Sequence, residues 1–201
     1  MKPLFITGIG TGVGKTIVSA VLTEKFKADY WKPVQSGDLD NSDTNMVRSL
    51  VSNSTSKFHP ETYRLTQPFS PHKSADLDGI VIDPSKFKLP LTDNLLIIEG
   101  AGGLMVPLNE NFLMIDLIRQ LDAEVILVSK NYLGSINHTL MSAEILNIRG
   151  IAIKQLIFNG GDDKESESII EKRLKMRSIH IPLFAELTKA EILQFADKMD
   201  W

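Results

Sequence analysis

No cysteine occurs among the 201 residues. That absence excludes disulfides, thiolate metal centres and cysteine nucleophiles together. A dominant charge is also missing. The formal net charge is −3, which gives no general pull toward nucleic acid or anionic lipid. No apolar run approaches a membrane span, and the N-terminal apolar stretch is far too short for a signal sequence, so a cytoplasmic location is expected. What remains, 43% hydrophobic and 23% charged residues, is the composition of an ordinary soluble globule. The length suits one well-buried domain over residues 1–201, and no linker or internal repeat divides it.

The chain is organised around Gly8-Ile9-Gly10-Thr11-Gly12-Val13-Gly14-Lys15-Thr16. It follows an apolar run, Pro3 to Ile6, that reads as a buried strand. It precedes Thr16 to Phe26, where Ile17/Val21, Val18/Leu22 and Leu22/Phe26 fall at helical spacing. Strand, glycine-rich loop, Gly-Lys-Thr and helix make a phosphate-binding loop. Its backbone N–H groups and helix dipole face an anion, Lys15 reaches the β/γ-phosphates and the Thr16 hydroxyl can ligate Mg²⁺. The spacing is one residue longer than in the common motif, whose first glycine would stand at Ile9.

Further along, Tyr30 to Val34 reads as a short strand holding Lys32 and Pro33. A lysine there either reaches a site at the strand's C-terminal end or snorkels from an edge, and Pro33 favours an edge. Asn41 or Ser42 caps a helix from Thr44 to Ser52, where Asp43 alone reads as decoration of the helix dipole. Residues 53–93 are irregular and proline-broken, with a short helix starting at Pro71. Asn94 to Ile98 is a continuous apolar strand ending in Glu99-Gly100-Ala101-Gly102-Gly103, where a carboxylate suits a Mg²⁺-site acid. Helices follow at Met114 to Leu121, from Leu133-Gly134-Ser135 through Ile148, at Asp163 to Met176 and at Lys189 to Met199. Strands interleave at Glu124 to Ser129, Ile153 to Phe158 and within Ile179 to Leu187. The alternation predicts an α/β fold: a doubly wound, mainly parallel sheet with helices on both faces, of the P-loop NTPase kind.

The phosphate loop, Lys32-Pro33-Val34-Gln35-Ser36-Gly37, Asn41-Ser42-Asp43, Ser70-Pro71-His72, Glu99 to Gly103 and Leu133 to His138 occur in one order. That ordered set resembles the dethiobiotin synthetase family over almost the whole chain, and the long phosphate loop is itself a family feature. The resemblance implies ATP- and Mg²⁺-dependent carboxylation of 7,8-diaminononanoate by CO₂ or bicarbonate, giving dethiobiotin, ADP and phosphate. Lys15, Lys32 and Thr11 would then act on the reacting groups, and Thr16, Asp43 and Glu99 would hold Mg²⁺. Gly12, Val13, Gly14, Ile17, Gly100, Ala101, Gly102, Asn159 and Gly160 would complete the ATP site, with Asn159 reading the adenine edge. Thr11 and Ser36 would face the diamine. Leu133, Gly134, Ser135, Ile136 and Asn137 would come from the neighbouring subunit of a homodimer and hold the substrate's carboxylate. No nucleic-acid or membrane partner is implied.

Departures exist as well. Gly10 and Gly12 stand where the family often has Asp and Glu, no long helix precedes Leu95, and Pro182 to Leu187 matches the family's segment only loosely. The alternative of another class is a nucleotide-switched ATPase resembling MinD and ParA, acting through a partner. Their loops carry an extra lysine at the position of Gly10.

Overall fold

The computed structural model describes residues 1–201. In chain order its first half holds β1 (Leu4–Gly8), α1 (Lys15–Phe26), β2 (Asp29–Trp31), β3 (Val34–Ser36), α2 (Asp43–Leu50), β4 (Phe58–His59), β5 (Tyr63–Leu65) and α3 (Pro71–Leu77). The second half holds β6 (Leu96–Gly103), β7 (Pro107–Asn109), β8 (Phe112–Leu113), α4 (Met114–Gln120), β9 (Glu124–Ser129), α5 (Ser135–Ile148), β10 (Ile153–Gly160), α6 (Lys164–Leu174), β11 (Ser178–Pro182) and α7 (Lys189–Lys198).

Seven strands form one parallel sheet in the order β11-β10-β9-β1-β6-β2-β4. Its central strands read as continuous apolar runs because both faces are covered. Alternate side chains serve opposite faces. Phe5, Ile98, Val125, Leu127, Leu156 and Phe158 join one buried cluster, with residues of α4, α5 and α6. Leu4, Ile6, Ile97, Ile126, Val128 and Ile157 join the other, with residues of α1, α2 and α7. After β1 the chain leaves to one side of the sheet, then returns and crosses to β9 on the other side of β1. The β1–α1 loop therefore sits at the switch point of the strand order, where open α/β sheets bind ligands.

Three expectations are corrected. Tyr30 to Val34 is two strands: β2 ends at Trp31, the chain turns at Lys32-Pro33, and β3 pairs with β5 in a separate parallel ribbon. Pro33 has no N–H for the main ladder, and β2 lies inside the sheet, between β6 and β4, instead of at its edge. The strand expected to end before Glu99 runs on as β6 to Gly103. Its register slips between the pairs Ile6/Glu99 and Gly8/Gly103, a bulge that brings glycine backbone beside the phosphate loop. A Cβ on Gly100 would meet the Phe5 ring at 2.7 Å, so this strand packs closely only as glycine. Residues 53–93 also hold more order than expected, since β4 and β5 lie there.

Candidate functional site

The loop between β1 and α1 is built by its glycines. Gly12 and Gly14 have φ of 72° and 93°, a left-handed region costly for other residues. At Gly14 space is also lacking, because an added Cβ would fall 2.0 Å from the Asn159 amide nitrogen. Gly14 caps α1 and presents the N-terminus of a 12-residue helix to the cavity above it. Lys15 folds back over the loop, its Nζ donating to the Gly10 carbonyl at 3.0 Å.

Two acids, Asp43 and Glu99, meet Thr16 from separate elements, and Lys32 and Tyr30 hold those acids in turn. Thr16 Oγ1 lies 2.9 Å from Asp43 Oδ1 and 3.0 Å from Glu99 Oε1. Lys32 Nζ pairs with Asp43 Oδ2 at 2.6 Å and with Glu99 Oε1 at 3.2 Å. Tyr30 donates its hydroxyl to Glu99 Oε2 at 2.9 Å. Asp43 is set at the start of α2 by Ser42, which accepts the Asn45 N–H, and by Gln35, whose side-chain oxygen accepts the Asp43 N–H. The Thr16 hydroxyl has one proton for two carboxylate contacts. One oxygen pair is left without a hydrogen between them, as in oxygen sets that gather round a cation. Hydroxyl and carboxylate oxygens are the donors Mg²⁺ selects, so these residues fit that ion.

Charge follows from burial. Burial lowers the Lys15 ammonium to about 8, against the attraction of Glu99. Burial also works to lower Lys32, but Glu99 and Asp43 outweigh it and raise Lys32 above the ordinary lysine value. Burial would raise Asp43, yet Lys32 holds it below the usual carboxylate range. Lys32 is therefore a permanently charged group at the cavity floor, only 3% exposed.

The cavity has a volume of about 680 Å³. Of the residues singled out in the sequence, Thr11, Gly12, Gly14, Lys15, Thr16, Ile17, Lys32, Ser36, Asp43, Glu99, Ala101 and Gly102 line it. Val13 is buried beneath the loop, and Gly100 packs against Phe5 behind it. Asn159 donates to the Val13 carbonyl at 3.3 Å, bracing the loop from β10. The turn after it is pinned by His180, with Nε2 2.9 Å from the Gly160 carbonyl and Nδ1 3.1 Å from Glu167 Oε1. Leu133, Gly134, Ile136 and Asn137 do not reach this cavity; they line a separate shallow depression, and Ser135 is buried at the start of α5. Asp38, Met46, Pro68, Phe69 and Val106 also line the main cavity and carry no motif that sequence could single out. Gln35 and Pro71 stood inside quoted motifs without a role.

A phosphate loop at the switch point of a parallel sheet, with Lys, Thr and two acids around it, defines a P-loop nucleotide-binding protein. Solved structures agree on the fold. A ParA family ATPase from Chlorobium tepidum superposes with a TM-score of 0.60 at 13% identity, covering 99% of this chain and 100% of that one. MinD from Pyrococcus horikoshii, complexed with Mg-ADP, gives 0.60 at 13% identity, covering 98% and 96%. At such identities the likeness is one of fold alone. A family model described as an AAA domain matches residues 2–194. The ATP-dependent dethiobiotin synthetase BioD of Christiangramia forsetii is 49% identical over 98% of this chain and 95% of its own length. That of Cytophaga hutchinsonii is 49% identical over 99% and 97%. The chain belongs to the ATP-dependent dethiobiotin synthetase family. No helix is long and apolar enough to cross a membrane.

Proposed function

We propose that residues 1–201 work in the cytoplasm as one unit, joining CO₂ to the two amines of 7,8-diaminononanoate and spending ATP to ADP and phosphate, with dethiobiotin as product. The name shared by the relatives supports this. One observation carries it on the structural side. Beside the loop lysine stands a second buried cation, Lys32, 2.6 Å and 3.2 Å from the two acids. Lys32 comes from the turn after β2 and not from the phosphate loop, and a fixed cation there suits a second anion meeting the γ-phosphate.

The chemistry sets what each residue does. One substrate amine takes up CO₂ and loses a proton, becoming a carbamate. A carbamate oxygen then attacks the γ-phosphorus as the bond to ADP breaks. The second amine closes on the carbamoyl carbon and expels phosphate, leaving a cyclic urea. Lys32 holds carbamate and γ-phosphate oxygens together, and Lys15 neutralises the transferring group. Thr11 and Ser36 orient the diamine; Ser36 Oγ is buried with no partner inside the chain, which supports a ligand contact. Gly12 to Ile17 and Gly100 to Gly102 cradle the phosphates, while Asn159 and Gly160 flank the base. Thr16, Asp43 and Glu99 would hold Mg²⁺, which supplies positive charge to the phosphoryl oxygens. Leu133 to Asn137 lie outside the cavity of their own chain. Their role at the substrate carboxylate therefore requires a second copy, and a homodimer with shared sites.

Phosphate release tests the proposal. With Mg·ATP alone the protein should be nearly silent, and release should rise sharply only when diamine and bicarbonate are both present. Release that ignores the two co-substrates would favour a nucleotide switch of the MinD and ParA kind.

A further inference from the structure

We infer that the Tyr30 hydroxyl is a positioning group for the divalent cation: it anchors one oxygen of Glu99 and so fixes the plane of the carboxylate that presents the other oxygen to Thr16. The inference rests on the reading of Glu99 as a metal ligand. Parallel pairing sets Tyr30 opposite Ile97, and Glu99 stands two residues further on the same face of β6. The Tyr30 side chain therefore reaches Glu99 on the diagonal. Its ring packs in the cluster that holds Ile97 and Val47, with Phe58 at 6.1 Å between centroids.

The two carboxylate oxygens are divided between different partners. Oε1 lies 3.0 Å from the Thr16 hydroxyl and receives Lys32 at 3.2 Å, while Oε2 receives Tyr30 alone at 2.9 Å. Tyr30 is 0% and Glu99 1% exposed, so no solvent replaces a lost donor. Without the hydroxyl, Oε2 is a buried acceptor with nothing to accept from. The terminal torsion of a glutamate is soft, and the carboxylate plane would then swing away from the orientation that sets an oxygen against Thr16.

Sequence gives no hint of this pair, which is 69 residues apart. A tyrosine in a buried strand reads as core. Its ring is core, and only its oxygen belongs to the site.

Tyr30→Phe keeps the ring and removes that oxygen. Mn²⁺ binding should be followed by electron paramagnetic resonance with ADP present, for the wild type, Tyr30→Phe and Glu99→Gln. ADP binding in EDTA is measured alongside. Both variants should lose Mn²⁺ affinity, Tyr30→Phe by about 10–100-fold as expected for a partner that orients a ligand, with ADP affinity in EDTA unchanged. Loss in Glu99→Gln but none in Tyr30→Phe would overturn the inference and leave the Glu99 assignment standing. No loss in either would remove Glu99 from the metal set, and the inference with it. An equal loss of ADP binding in EDTA by Tyr30→Phe would mark general damage and also overturn the inference.

Discussion

Lys32→Ala is expected to lower turnover by a factor on the order of 10²–10³, the usual effect of removing one donor aimed at transition-state charge. The KM for ATP should change far less, because Lys15 and the loop N–H groups remain. The site geometry sets the sign of the side effect. Removing one partner of a buried ion set typically costs about 3–5 kcal/mol, since it leaves charge unpaired. Here Asp43, with its side chain 33% exposed, can rehydrate. Glu99 at 1% cannot and keeps only Thr16 and Tyr30 as neighbours, so a loss of that order is expected. The melting temperature should therefore fall while circular dichroism at the assay temperature remains that of the folded protein. A folded Lys32→Ala protein that turns over at the wild-type rate would reduce Lys32 to a structural ion pair.

The second large effect is a recovery. Lys32→Ala and Gly134→Asp should each be inactive alone, the latter because a carboxylate at the start of α5 would repel the substrate's own. Gly134 has φ of 104°, so any side chain there is also strained, and folding of the variant is checked by its circular dichroism. If Leu133 to Asn137 complete the neighbour's site, a mixed dimer gathers both lesions in one site and leaves the other whole. Mixing two inactive proteins under conditions of subunit exchange should then restore activity. Exchange confirmed by mass spectrometry with no recovery would show that each chain holds its own substrate.

How much of this was legible in the sequence depended on how local each feature is. The phosphate loop and α1 are contiguous, so glycine spacing and helical periodicity announced them before any contact was known. The central strands were legible because burial on both faces leaves an unbroken apolar run, as in Val125 to Val128. The short strands were not. β4 has two residues and β5 three, too few to establish a period, and they owe their pairing to β2 and β3. Lys32 was ambiguous for the same reason. Whether its strand was an edge depended on β4, which the sequence concealed. Pro33 marked a real break, but the break closes β2 within the sheet. Glu99 stood out as an acid at the end of an apolar run, although the strand continues beyond it through glycines whose bulge needed Phe5 and Gly8 to explain it. The family resemblance supplied roles for Asp43, Asn159 and Leu133 to Asn137 that spacing alone could not. Geometry puts Asp43 against Lys32 and Asn159 under the loop, and leaves the α5 entrance outside its own cavity.

The central claim is that phosphoryl transfer here serves to fix inorganic carbon between two amines. Supplying the protein with Mg·ATP, the diamine and ¹³C-bicarbonate, and weighing the organic product by mass spectrometry, tests it most directly. The account predicts a cyclic urea carrying one ¹³C, formed in step with one phosphate released per molecule. ATP consumed at a steady rate with no labelled urea would contradict it.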